Sequence, residues 1–128
     1  MKRALLLLLP LAACAPDLPP EQVAAVKAEA RVRAVGHTGA TLLAPIAGLD
    51  DRGRIGVCGL IETPAGPVRV VVTLADGAVR TGVPASQGAN RLDLGESRYC
   101  SDTARARWEQ LNKVDPVGLA ARIADQAE

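Results

Sequence analysis

An α+β fold is the prediction for this chain, and three observations make it. Both ends carry apolar residues at helical spacing between good helix formers. The middle, residues 40–83, carries Val-rich segments that alternate with polar residues. Asp76-Gly77 and Thr63-Pro64-Ala65-Gly66 punctuate that middle as hairpin and turn signals. The 128 residues suffice for one domain, and 48% hydrophobic with 23% charged residues argues against a disordered chain. The expected architecture is a small antiparallel β-meander packed on an N-terminal helix and one or two C-terminal helices, one domain over 21–128.

The first helix opens at Pro20, whose fixed φ suits a first turn, and Glu21 suits the positive end of the dipole. It runs through Val35 without a breaker, and Gly36 is placed to end it. Val23, Val26 and Ala30 form one seam, and Ala28, Val32 and Val35 a second. These small residues suit close packing in a core. A membrane-surface helix would need larger apolar residues and a more basic polar face.

Strand chemistry follows. Thr41–Ile46 is the first strand, demoted to an edge by Pro45. Gly48–Gly53, with Asp50-Asp51, reads as a turn. Arg54–Glu62 is the second strand. Val68, Val70, Val72 and Leu74 then alternate with Arg69, Val71 and Thr73. A two-residue Asp76-Gly77 hairpin pairs Ala75 with Ala78, and so Leu74 with Val79, Val72 with Thr81 and Val70 with Val83. The opposite face then pairs Thr73 with Arg80 and Val71 with Gly82. One face is apolar and the other mixed, as a half-buried antiparallel sheet requires.

Pro84–Glu96 is polar and Gly-rich and reads as a loop. Ser101 or Asp102 can cap a helix to Val114 in which Ala104, Trp108 and Leu111 share a face and Glu109 can pair with Lys113. Asp115-Pro116 restarts the pattern as cap plus N1 proline, for a last helix through Ile123. The Val70, Val72, Leu74 and Val79 face is expected to pack on the helices over 21–35 and 102–114, with Trp108 and Leu111 the bulkiest contributors.

Composition excludes several functions. There are 15 Lys plus Arg against 14 Asp plus Glu, so no basic excess exists to neutralise nucleic-acid phosphates. Trp108 and Tyr99 are the only aromatics and cannot form a stacking platform. With one histidine, His37, and no close Cys pair, no zinc site is expected. A hydrolase would have to recruit His37, Asp50 or Asp51, and Ser86 or Ser101, but Gly-x-Ser-x-Gly is absent and Ser101 suits a helix cap. Asp50, Asp51 and Glu62 match no EF-hand spacing, and the glycines form neither a P-loop nor a dinucleotide fingerprint. The expectation is a non-enzymatic domain with no cofactor.

The first fourteen residues carry the sharpest signal. Lys2 and Arg3 precede Ala4 and the run Leu5–Leu9; Pro10 breaks the run and Leu11-Ala12-Ala13-Cys14 closes it. About ten apolar residues are too few for a bilayer core, which takes about twenty, so the segment reads as a signal peptide. The closing tetrad resembles the bacterial lipobox at all four positions. That resemblance implies cleavage after residue 13, a diacylglyceryl group on the Cys14 thiol and an acylated new N-terminus. Membrane lipid is then the first partner, held through acylated Cys14, since two or three chains anchor stably where one binds reversibly. The same resemblance carries a sorting rule in which an Asp after the Cys implies inner-membrane retention; with Ala15 there, it implies the outer membrane, facing the periplasm. Loss of residues 1–13 removes Lys2 and Arg3 and leaves 13 basic against 14 acidic side chains. The lipidated Cys14 and the Pro-rich tether occupy 14–20; six PPII-like residues at about 3.1 Å each reach some 20 Å, so the domain sits close to the membrane.

With Cys14 spent on lipid, Cys58 and Cys100 remain, and two thiols of an exported chain are expected to pair. Their separation suits a structural bridge. A catalytic redox pair would sit as C-x-x-C at a helix start. Val57-Cys58-Gly59 before a hairpin, with a preceding helix and a late Cys, also resembles small uncharacterised secreted proteins of proteobacteria. Those continue with an Asn and a Gly/Tyr-rich turn, where this chain has Glu62 and Thr63-Pro64-Ala65-Gly66. Two function classes follow. One is a lipoprotein whose domain contacts an envelope protein partner or packs within an envelope assembly. The other is a small ligand-binding or inhibitory module that uses the mixed face near Arg69, Val71 and Arg80.

Overall fold

A computed structural model describes residues 18–83 and 95–128. Its elements run α1 (Pro20–Ala34), β1 (Leu43–Leu49), β2 (Ile55–Thr63), β3 (Gly66–Thr73), β4 (Val79–Thr81), α2 (Glu96–Tyr99), α3 (Asp102–Val114) and α4 (Pro116–Gln126). The four strands form one antiparallel sheet in the order β1-β2-β3-β4, so the α+β meander is as expected.

α1 starts with proline in its first turn and Glu21 beside it, and carries Arg31 and Arg33 in its last turn. Its buried stripe is Ala24, Ala28 and Val32, at a strict spacing of four: it keeps Ala28 and Val32 of the second expected seam and continues to Ala24 in place of Val35, and Val23 of the first seam packs at its margin. Val26 and Val35 are instead 57% and 55% exposed. A row of Ala side chains lets the helix axis approach the sheet closely, and the larger valines on the flank are turned outward by that approach.

β1 is an edge strand, as Pro45 required, but it begins and ends later than expected. Its register to β2 slips between the Leu43↔Leu60 and Ile46↔Cys58 pairs. Ala44, at φ 48°, and Pro45 form a bulge, which is where an edge strand tolerates proline. Pairing then resumes, so Gly48 and Leu49 belong to the strand, opposite Gly56 and Ile55. The turn shrinks to Asp51–Gly53, closed by Gly53 N–H donating to Asp50 O (3.1 Å). Gly53 sits at φ 80°, the left-handed residue of a three-residue hairpin loop.

The β2–β3 hairpin turns at Thr63-Pro64-Ala65-Gly66 as expected. At β3–β4 the observed pairs are Val70↔Thr81, Val71↔Arg80 and Val72↔Val79, two residues tighter toward β3 than a two-residue Asp76-Gly77 loop allows. The loop is wider: its closing pair is Thr73 and Ala78, with Thr73 N–H donating to Ala78 O (2.9 Å), while on the other edge of β3 Leu74 N–H donates to Ile55 O (3.0 Å). Asp76 Oδ1 accepts Ala78 N–H (2.9 Å), and the chain reverses over Leu74–Gly77. A slip of two preserves the faces, so Val70, Val72, Leu74 and Val79 still point to one side.

That side is the main core. Ala47, Leu49, Ile55, Val57, Ile61, Val68, Val70 and Val72 of the sheet meet Ala24, Ala28 and Val32 of α1, Ala104 and Trp108 of α3, and Leu119 and Ile123 of α4. Trp108 is 1% exposed; Leu111 packs at the margin and is only partly buried. Both C-terminal helices start at the expected caps. Ser101 Oγ accepts Ala104 N–H (3.1 Å) and Asp115 Oδ1 accepts Gly118 N–H (3.0 Å). α4 continues beyond Ile123 because Gln126 is held by the β1–β2 turn: it accepts Ile55 N–H (2.8 Å) and donates to Gly53 O (3.0 Å). Glu109 pairs with Arg105 at 3.1 Å in place of Lys113, since Arg105 is already fixed on the sheet side.

The outer edge of β1 is closed by side chains. Glu21 Oε2 accepts Ala47 N–H (3.1 Å), Arg105 Nη1 donates to Ala47 O (3.2 Å), and the two side chains pair with each other at 2.7 Å. Arg107 donates to Leu49 O (3.4 Å) and Glu29 accepts Leu42 N–H (2.8 Å). The outward Ala47 N–H, Ala47 O and Leu49 O, which would template another strand, are thereby occupied, as is Leu42 N–H just before β1.

Candidate functional site

The second face of the sheet holds the polar chemistry. Its floor begins with two glycines paired across strands, Gly48↔Gly56. A methyl group on Gly56 would fall inside the Tyr99 ring, and one on Gly48 would strike the Tyr99 carbonyl. Glycine inside a strand therefore marks here the close approach of α2, and Tyr99 lies flat in the space the missing side chains leave. Tyr99 and Val71 are buried together, with Cys58 and Cys100 packed against them. Cys58 and Cys100 face each other at disulfide-bonding distance, Cα atoms 6.2 Å apart, across 42 residues of sequence. The pair ties β2 to the junction of α2 and α3. Glu96–Tyr99, at the end of the stretch expected to be loop, is helical because Tyr99 and Cys100 anchor it to the sheet.

Asp50 is the only buried charged or polar residue among the described residues. Its Oδ1 accepts Arg52 N–H (2.9 Å) and Arg54 N–H (2.8 Å), and its Oδ2 accepts Arg54 Nε–H (3.0 Å). The Tyr99 hydroxyl makes a long contact to the same oxygen (3.5 Å). Burial pushes its pKa up, but the two backbone N–H groups and the Arg54 guanidinium outweigh burial and hold the carboxyl below the usual aspartate range. Arg54 is raised in turn, mainly by its hydrogen bond to Asp50, with Tyr99 and the Asp50 charge adding.

Beside this buried carboxylate lies a polar cleft of about 150 Å³, lined by Arg54, Arg80, Arg98, Asp76, Thr73 and the Tyr99 edge. The Arg98 guanidinium carbon stands 6.0 Å from the Tyr99 ring centroid, at the limit of cation–π contact. Across the disulfide-distance pair lies an open groove of about 550 Å³ with Ile46, Leu60 and Cys58 on its floor. Its rim carries the Arg69–Glu96 ion pair (2.9 Å).

The expected site residues are distributed as follows. Cys14 and Ser86 lie outside the described residues. Cys58 and Cys100 are brought together. Of the mixed-face trio, Val71 is covered by Tyr99, Arg69 is held by Glu96, and Arg80 alone opens on the cleft. Val71 sits opposite Arg80 and not Gly82, because of the register change. Ser101 is occupied as a cap and Asp50 by Arg52 and Arg54, so neither is placed as nucleophile or orienter. His37 N–H donates to Val32 O (3.3 Å), its backbone ending the α1 region. Among the described residues no group of three or more His, Cys, Asp and Glu is placed to hold a metal ion. Likewise, no described helix is long and apolar enough to cross a membrane.

Arg54, Arg98, Tyr99 and the glycine floor were not singled out from the sequence. The available signal was a pair of glycines in an otherwise Val- and Ile-rich strand context, eight residues apart around a turn, which is the spacing of cross-strand partners. Compared with known proteins, the chain matches no family model, no curated protein and no solved structure.

Proposed function

We propose that this chain is a lipid-anchored protein of the bacterial cell envelope, displaying a small non-catalytic domain close to the membrane for contact with an envelope partner. The observation that carries the reading is Leu11-Ala12-Ala13-Cys14 behind a basic start and a short leucine run. Two features support it. Cys58 and Cys100 at disulfide distance suit an oxidising, exported setting. α1 begins at Pro20, six residues after Cys14, and is clamped at once through Glu21 to Ala47 and Arg105, which suits a domain held close to a lipidated Cys14. The non-catalytic reading is supported by the fate of the nucleophile and carboxylate candidates, since Ser101 and Asp50 are consumed by structural hydrogen bonds.

The test is Cys14→Ser in the native host. Intact protein should enter the detergent phase on phase separation and carry an acyl mass increment on Cys14. The variant should remain uncleaved or become soluble. Unchanged partitioning with no acyl mass on Cys14 overturns the anchor. A ligand-binding domain is the second reading, favoured by the arginine-lined cleft.

A further inference from the structure

We propose that the cleft between Arg54, Arg80, Arg98 and Asp76 binds a protonated phosphate group, as the free ion or as the end of a phosphate monoester. The proposal deepens the ligand-binding reading and is independent of lipid attachment. Arg54 is oriented by its Nε bond to Asp50 (3.0 Å); its terminal nitrogens make no hydrogen bond among the described residues, and the Asp76 charge acts on it across the cleft. Arg80 has no carboxylate partner there, and Arg98 has only the Tyr99 ring at 6.0 Å. With Arg54 balanced by Asp50, two guanidinium charges stand against the single carboxylate of Asp76, so the cleft favours an anion. Guanidinium forks match the paired oxygens of phosphate, and Arg is the side chain suited to that geometry.

Asp76 sets which anion. Its Oδ1 is committed to Ala78 N–H (2.9 Å), which holds the carboxylate in place, and its Oδ2 accepts no hydrogen bond among the described residues. A phosphate ion or monoester that retains a proton can donate P–O–H to that oxygen. Sulfate, carboxylates and phosphodiesters carry no such proton at neutral pH and meet Asp76 as a like charge. The volume of about 150 Å³ admits one tetrahedral oxyanion and is well below the several hundred Å³ usual for larger ligands.

The test uses the full chain in a non-ionic detergent and follows its arginine side-chain Nε–H signals by NMR. Inorganic phosphate should shift Arg54, Arg80 and Arg98 saturably and leave Arg33 and Arg105 in place. Phosphate should bind about tenfold or more tighter than sulfate, and Arg80→Gln or Arg98→Gln should each weaken it by about tenfold. Asp76→Asn keeps the Oδ1 acceptor, and so the loop, and should bring phosphate and sulfate to within about threefold. Short-chain phosphatidic acid, soluble as a monomer, identifies the source: competition at the same arginines assigns a lipid headgroup, and its failure beside binding of glycerol phosphate assigns a soluble one. Shifts that do not saturate, shifts spread evenly over all arginines, or equal affinity for sulfate overturn the proposal. None of these outcomes bears on Cys14, so the anchor and the cleft stand or fall separately.

Discussion

The two faces of the sheet are covered in opposite ways. On the first, α1, α3 and α4 bring a continuous aliphatic layer plus Trp108 onto a floor of Val, Ile and Leu. On the second, one aromatic ring rests where Gly48 and Gly56 have no side chains, and Cys58, Cys100 and Val71 complete a patch of a few residues. The first face is stabilised by apolar area, which is additive and non-directional. The second depends on fit, one cysteine pair at disulfide distance and one buried carboxylate. Substitutions should therefore be graded by volume on the first face and by position on the second.

The largest effect is expected from Trp108→Ala, at about 3–5 kcal/mol, because it opens a cavity under α3. Native tryptophan emission should be blue-shifted and move red on unfolding. A water-like emission from the folded protein would mean that the first face is not packed as described. Loss of the Cys58–Cys100 link comes next. Cys58→Ala and Cys100→Ala should each cost about 2–4 kcal/mol in chemical denaturation, with the double variant no worse than either single one. Free-thiol labelling of both cysteines in freshly isolated protein would remove this difference between the faces.

Gly56→Ala should cost about 1–3 kcal/mol, a large penalty for one methyl group, because the Tyr99 ring occupies its place. With Tyr99→Ala already present, the same methyl group should be tolerated, and the double-mutant cycle should show strong coupling. Additive effects would mean that the ring is not seated on the glycine floor.

The pH dependence sharpens the comparison further. Asp50 has its carboxyl held below the usual range, so it contributes stability at neutral pH that persists down to that range and is lost as pH falls through the folded value. The advantage of the native protein over Asp50→Asn should be constant from neutral pH down to the aspartate range and shrink below it. An advantage that instead grew on acidification would contradict the hydrogen bonding from Arg52 and Arg54.

The first face was largely legible from sequence, because a period of two in Val68–Leu74 and the caps at Ser101 and Asp115 are local signals. Two features of it were not. The stripe of α1 was legible at Ala28 and Val32, but its extension to Ala24 was not, because valines in the same helix drew the seam toward Val35. The β3–β4 loop closes on Thr73 and Ala78 and not on Ala75 and Ala78, a choice that the Asp76-Gly77 dipeptide alone does not encode. The second face was scarcely legible. Gly48 read as a turn residue, and Tyr99 sits in a stretch with no periodicity. The acidic centre at Asp50 looks in sequence like half of an exposed Asp-Asp turn; only the fold separates a buried Asp50 from an exposed Asp51. The approach of Cys58 to Cys100 was legible through their count and the expectation of export, whereas Arg54 and Arg98 gain their meaning only from what they surround.

The clamp on β1 has a consequence for the order in which the chain is made. Glu21 leads, but its partner Arg105 lies 84 residues later, and Arg107 and Gln126, which also hold β1 and its turn, come later still. A chain emerging from its N-terminus therefore completes the whole meander with one edge unclosed and the apolar face lacking Trp108, Leu119 and Ile123. Cys58 likewise waits for Cys100. Closure falls to the last quarter of the sequence, so until Arg105 joins the sheet the meander is most open to pairing with the wrong strand.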